Sequence, residues 1–212
     1  MFVNSHKEEL FMRKEASGLP AWKSELLAQW QEFYKEHGIE KSLSRIVIPT
    51  RHEGFNRLIV VLAGMTSNRL FAKCKEFFPS WRYAEDFDQI RSDREPDHDY
   101  AIWVRCSVEA DEDMNGLSVN DTKTRGIIGI ALHERLLYGL KYFRETRGHL
   151  DPKNVTLCSG SRYLDGGVPG VYSSDDRMFV GWYSPGNSHE LLRVRAVVPQ
   201  HLYPVSLSLP SE

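Results

Sequence analysis

Val168-Pro-Gly-Val-Tyr-Ser-Ser-Asp-Asp-Arg-Met-Phe-Val-Gly-Trp-Tyr183 holds two β-rich runs around one cluster of turn formers. Valine, tyrosine, phenylalanine and tryptophan suit a pleated, half-buried surface. Ser173-Ser-Asp-Asp176 is turn chemistry. The stretch reads as an antiparallel hairpin, and similar short runs flank it: Val155-Thr-Leu-Cys158, Val194 to Val198 and Val205 to Leu209. Turn clusters at Asp165-Gly-Gly167 and Ser184-Pro-Gly-Asn187 separate them. Short strands so punctuated predict an antiparallel β-meander for the C-terminal third.

Upstream the period changes from two to that of a helix. Trp22, Leu26, Leu27, Trp30, Phe33 and Tyr34 form a core-facing stripe on a helix opened by Leu19-Pro20 and closed by Gly38. Arg45-Ile-Val-Ile-Pro49 reads as a short strand. Leu58-Ile-Val-Val-Leu62, apolar on both faces, reads as a central one. Thr66 or Ser67 caps a helix over Asn68 to Phe78, which Pro79 stops. Tyr100 to Cys106 alternates as a strand, and Ser118-Val-Asn-Asp121 has the form of a capping box. A longer helix is expected from about Gly129 to Arg147, with Arg135, Lys141, Arg144 and Arg147 along an exposed basic flank and Gly148 at its end. Helices thus occupy mainly the first two-thirds and strands the last third. The expected class is α+β, a single domain over 19–212 behind a flexible or loosely docked 1–18.

Composition narrows the setting. The chain has 212 residues, 41% hydrophobic and 26% charged, a balance suited to one packed core rather than to disorder. A net charge of −2 does not favour nucleic acid as a partner. From Trp81 to Arg125 there are 12 acidic residues against 6 basic, read as a solvated face. The first residues contain no continuous apolar stretch, and the run Leu58 to Ala63 is far too short to span a bilayer. No membrane association is expected. Cys74, Cys106 and Cys158 are odd in number and widely spaced, which fits reduced thiols in a cytoplasmic protein.

No chemical motif is complete. Asp111-Glu-Asp113-Met-Asn115-Gly116 resembles the start of a calcium loop, but its twelfth position is Thr122 rather than glutamate. His133-Glu134 begins like HExxH, yet Leu137 replaces the second histidine. Gly64-Met-Thr-Ser-Asn68 lacks the lysine of a phosphate loop. Cys158-Ser-Gly-Ser161 is not a nucleophile elbow. Neither a metal nor a cofactor is expected, and catalytic residues stay unassigned.

What stands out is an aromatic and arginine cluster in the hairpin region: Arg162, Tyr163, Tyr172, Arg177, Phe179, Trp182 and Tyr183. Flat rings and guanidinium groups suit stacking on bases, sugars or peptide side chains. Alternation puts Met178, Val180 and Trp182 on one face and Phe179, Gly181 and Tyr183 on the other. Trp182 is expected in the core and Tyr183 at the surface. The candidate binding residues are Arg162, Tyr163, Tyr172, Arg177 and Tyr183.

The segments Phe78-Pro-Ser-Trp-Arg-Tyr83, Tyr100-Ala-Ile-Trp-Val104 and Leu157-Cys-Ser-Gly-Ser-Arg162 resemble bacterial hypothetical proteins to which no activity is attached. The resemblance implies a bacterial or mobile-element origin and transfers no site residue. The expected function is a non-enzymatic binding or interaction module whose partner is a protein or small-molecule ligand. One alternative is a small-molecule hydrolase or transferase using Cys158 or an Asp/His pair. Another is a phage- or plasmid-derived protein that touches nucleic acid through a local patch. A concave pocket collecting His, Cys or acidic side chains would favour the enzyme, and a shallow surface the binding module.

Overall fold

The computed structural model describes residues 20–200. The segment 1–18 and the strand expected over Val205 to Leu209 lie outside the described residues. The chain divides into two compact units, Met1–Ile48 and Pro49–Glu212.

In the first unit, helix α1 spans Ala21–Glu36 behind Pro20, whose ring fixes φ at a helix-compatible value. Trp30, Phe33 and Tyr34 are buried on its apolar stripe, with ring centroids 5.3 to 5.7 Å apart. Trp22, placed in the same stripe by its spacing, is exposed in the first turn. Arg45-Ile-Val-Ile-Pro49 forms no strand: Ile46 and Ile48 are buried and Val47 exposed, but no ladder partner is taken. The alternation is strand-like, and pairing is a separate, non-local requirement.

The second unit contains both helices and sheets, an α+β arrangement. Strand β1 (Arg57–Val61) runs antiparallel to β4 (Tyr100–Val104), whose other edge takes β10 (Val198–Pro199). Leu58 to Val61 are all buried, as an apolar-on-both-faces run requires. The central position nevertheless belongs to β4, not β1.

Helix α2 (Ser67–Phe77) starts at Thr66, whose hydroxyl accepts the Arg69 N–H, and ends where Pro79 forbids continuation. It packs on the long helix α4 (Leu132–Thr146), which also covers β1. Between them lies the short α3 (Val119–Thr124), closed by the reciprocal Ser118–Asp121 capping box. Two features of α4 differ from expectation. Its left-handed terminal residue is Arg147, with φ of 61°, rather than Gly148. Its flank is not a basic surface either, because Arg135 and Lys141 are buried.

The larger sheet has the order β2-β8-β7-β5-β9, formed by Ser80–Arg82, Arg177–Tyr183, Val168–Ser174, Val155–Leu157 and Leu192–Val194. The β7–β8 hairpin is antiparallel, as expected, with a register that runs from Val168↔Tyr183 to Ser174↔Arg177. The sheet is not a pure meander, since β2 joins β8 and β9 joins β5 in parallel. A small pair, β3 (Arg91–Ser92) with β6 (Ser161–Arg162), stands apart.

The assigned roles of the hairpin's last two residues are reversed. Met178 and Val180 are buried, but Trp182 is 38% exposed at the sheet's end, where its indole lies over Gly167 and donates to Asp165. Tyr183 is half-buried against a cluster containing Met114, Val119, Leu157 and Val168. Its ring lies flat across Gly170, where a Cβ would come within 2.3 Å of it. Tyr183→Ala should therefore cost about 2 kcal/mol or more, whereas Trp182→Ala should cost under about 1 kcal/mol. Paired urea melts check the order, and a larger loss at Trp182 would contradict it.

Candidate functional site

The registered pairs Tyr172↔Phe179 and Trp81↔Phe179 place three aromatic residues in one row across β7, β8 and β2. Tyr172 and Phe179 stack with ring planes 10° apart and centroids 5.0 Å apart. Trp81 follows at 6.3 Å and is 49% exposed. Strand spacing of about 4.8 Å produces such a row whenever registered residues are all aromatic. Arg177 shares the face by alternation and is exposed beyond the row, at the hairpin turn. Tyr83, 60% exposed, contacts Tyr163 at the other end, 6.2 Å between centroids.

Of the five candidate residues, Tyr172, Arg177 and Tyr183 thus share one sheet face. Tyr183 forms its buried margin. Tyr163 meets the face at its edge, its hydroxyl donating to the Gly181 carbonyl. Arg162 is not brought to it, because its guanidinium donates to the Ser159 and Ser161 carbonyls. Trp81 was missed: it lies about 100 residues before its partner strand, and only the parallel β2–β8 pairing reveals it.

The incomplete motifs serve the fold. Arg105 bridges Asp111 at 2.8 Å and Asp113 at 2.8 Å, so two carboxylates of the calcium-like loop are engaged by one guanidinium. Asp111 is buried rather than part of a solvated face, and burial raises its carboxyl pKa against the pull of the Ala196 N–H and Arg105. Asp88 accepts from the Asn68 N–H and the Thr66 hydroxyl, occupying the α2 N-terminus where a phosphate would sit. Ser161 accepts the Leu132 N–H and so caps α4 from another part of the chain. Cys74 and Cys158 are buried, and burial pushes their thiols up, that of Cys74 to about 12. A thiolate nucleophile at either position is disfavoured at neutral pH. No group of three His, Cys, Asp or Glu residues able to hold a metal occurs among the described residues.

His133-Glu134 has a different role from the one its letters suggest. Glu134, fully buried in the first turn of α4, receives four donors. Arg94 Nε (2.7 Å) and the Tyr100 hydroxyl (2.9 Å) reach Oε1, while Arg94 Nη2 (2.8 Å) and the Ala131 N–H (2.7 Å) reach Oε2. Burial alone would raise its carboxyl, but Arg94 and the other groups around it together outweigh burial and hold it below the ordinary range. Tyr100 Oη also lies 2.6 Å from His133 Nε2. The phenol has one proton, and an ionised Glu134 only accepts, so that proton points to Glu134. His133 Nε2 must then carry the hydrogen it donates to Tyr100. Its Nδ1 is left as a bare acceptor. Burial further keeps the imidazole neutral by lowering its pKa. His133 lines a cleft of about 250 Å³ together with Thr66, Asp88, Ser92, Glu95 and Asp97.

No family model, no curated protein and no solved structure matches the chain. Geometry alone carries the functional reading. No helix among the described residues is long and apolar enough to cross a membrane.

Proposed function

We propose that this protein is a binding module that stacks a ring-bearing ligand on the Trp81–Phe179–Tyr172 row. The supporting observation is the row itself: three aromatic side chains in register on adjacent strands, with the outer tryptophan half open to solvent. Rings used only for the core would be covered, whereas clustered exposed rings mark a surface that meets something. Arg177 adds a cation beside the row, which suits a sugar, a base or an aromatic peptide side chain. The cysteine route to an enzyme is weakened by the burial of Cys158. The cleft that gathers His133, Asp88, Glu95 and Asp97 is what speaks for the Asp/His route, but the hydrogen bond of His133 goes to Tyr100 and not to an aspartate.

Three ring-bearing probes test the reading: an oligosaccharide, an aromatic peptide and a short oligonucleotide, each titrated into isotopically labelled protein. The tightest should first move the signals of residues 81, 172 and 179. Stacking on one aromatic side chain contributes roughly 1–3 kcal/mol, so Trp81→Ala should weaken that probe roughly five- to 150-fold. Shifts gathered elsewhere, or an affinity indifferent to both Trp81→Ala and Tyr172→Ala, would remove the proposal.

A further inference from the structure

A wider cleft, of about 800 Å³, shares no residue with the aromatic row. Its walls come from the loop between Arg105 and Asp113 after β4, from Lys153 and Asn154 ahead of β5, and from Arg193 on β9. Hydrogen bonds to the backbone hold these walls together. The Asp111 N–H donates to the Val194 carbonyl, and Asp111 Oδ2 accepts the Ala196 N–H at 2.8 Å. Glu109 accepts the N–H groups of Lys153 and Asn154, together with the Asn154 side-chain amide.

Two buried side-chain atoms in these walls lack a hydrogen-bond partner, and they are of opposite kind. Asp111 is 2% exposed and uses only Oδ2, which takes Ala196 and Arg105, so Oδ1 is an acceptor to which nothing donates. Arg193 alternates with the buried Leu192 and Val194 and therefore lies on the other face of β9, where its Nε is a donor without an acceptor. Buried polar atoms in this state cost free energy that a bound partner recovers. An ion pair between Asp111 and Arg193 would satisfy both, yet none forms. Arg105 is already engaged by Asp111 and Asp113, whereas the exposed Lys153 lines the cleft as a further cation.

We infer that this cleft binds a free amino acid, its ammonium donating to Asp111 Oδ1 and its carboxylate accepting from Arg193 Nε, with Lys153 as further counter-charge. A group that bridges a lone acceptor and a lone donor must itself offer a donor at one end and an acceptor at the other. Water meets that condition, but one water takes up only about 30 Å³ and gains nothing from Lys153. A simple carboxylate would serve Arg193 and leave Asp111 bare, and a simple amine would do the reverse. Charge divides in the same way. Asp111, Glu112 and Asp113 stand against Arg105 and leave one part of the cleft negative, while Lys153 and Arg193 stand against Glu109 and leave the other positive. A hydrogen bond between an ammonium and a carboxylate is about twice as strong as one between neutral groups, which favours the amino acid over a hydroxy acid.

Glycine, β-alanine and 4-aminobutyrate carry the two charges on chains of increasing length. Each is titrated into the full chain beside the alkanoate and the alkylamine that keep one end only, while NMR follows the Arg193 Nε–H and the Asp111 carboxyl carbon. One amino acid should saturate both signals below about 10 mM and bind about tenfold more tightly than either half. Arg193 makes no side-chain hydrogen bond or ion pair among the described residues, so Arg193→Gln should leave the melting temperature nearly unchanged and weaken that amino acid about tenfold. Exposed Lys153→Gln should weaken it roughly threefold at the same melting temperature. The assignment is overturned if no amino acid saturates, as a cleft bridged by water alone would behave. It is equally overturned if the alkanoate or the alkylamine binds as tightly, or if both variants bind the amino acid unchanged.

Discussion

Replacing Asp151 by alanine should lower stability by about 3–5 kcal/mol, much of the 5–15 kcal/mol that holds a typical domain together. Asp151 is fully buried and stands between two buried guanidinium groups. Its Oδ2 receives Arg135 Nε (3.0 Å) and Nη2 (2.8 Å), and its Oδ1 receives Arg195 Nη2 (2.9 Å). Thr156 Oγ1 donates to Oδ2 as well. Removing one carboxylate strands two positive charges in a low-dielectric interior, where neither can reach water. Arg195 keeps carbonyl partners at Ser107 and Val108, which soften the loss without neutralising the charge. The backbone adds to the cost: Asp151 sits at φ of 57°, a conformation that aspartate tolerates better than alanine does. Urea midpoints measure the effect, with exposed Glu190→Ala as a control that should stay within about 0.5 kcal/mol. Adding Arg135→Leu to Asp151→Ala should recover part of the loss by removing one unpaired charge. A cost under about 1 kcal/mol for Asp151→Ala would mean that the triad contributes little.

That triad shows where the sequence stops being legible. Arg135 lies one residue from Leu136 on an amphipathic helix, and a charged residue there reads as a flank. Its partner Asp151 is 16 residues away and Arg195 comes from the far end of the chain, so burial by pairing is invisible to local pattern. The same holds for Trp81, whose three-residue strand is too short to alternate and whose parallel pairing is non-local. Features set within a few residues were legible: the Thr66 cap, the Ser118–Asp121 box, the apolar period of α4 and the β7–β8 hairpin. Alternation grouped Phe179, Gly181 and Tyr183 on one face, and only the pairing with β7 adds Tyr172 to it. It could not say that Gly170 would let Tyr183 lie down and be covered, or that Trp182 would run past the end of the core.

The His133–Glu134 relay was partly within reach. Glu134 follows Ala131 by three positions, where a glutamate caps its own helix. His133 reads from its letters as a surface or half-buried histidine, yet it shares a helical face with Leu136, Leu137 and Leu140 and is buried with them. What no pattern supplies is Tyr100, on β4, or Arg94, in the loop after β3.

Glu134→Ala should cost about 3–5 kcal/mol at pH 7 and should also change the chemistry of the cleft. Four donors lose their acceptor together, among them the mostly buried Arg94, which retains only the Gly129 carbonyl. Adding Arg94→Met should restore much of the loss, because removing both charges leaves no unpaired ion. The pH dependence has a definite sign. Glu134 is held below the ordinary carboxylate range when folded, so its contribution is complete above an unfolded pKa of about 4.3 and fades as pH falls through the lower folded value. The gap between wild type and Glu134→Ala should therefore narrow in acid. With the carboxylate gone, the Tyr100 hydroxyl has His133 Nε2 as its remaining acceptor. The imidazole proton then moves to Nδ1, turning the atom at the cleft floor from acceptor to donor. Nitrogen shifts of His133 in the Arg94→Met, Glu134→Ala double variant read that change directly. A proton still on Nε2 in the double variant would show that Glu134 does not set the tautomer, and that Tyr100 alone fixes the ring.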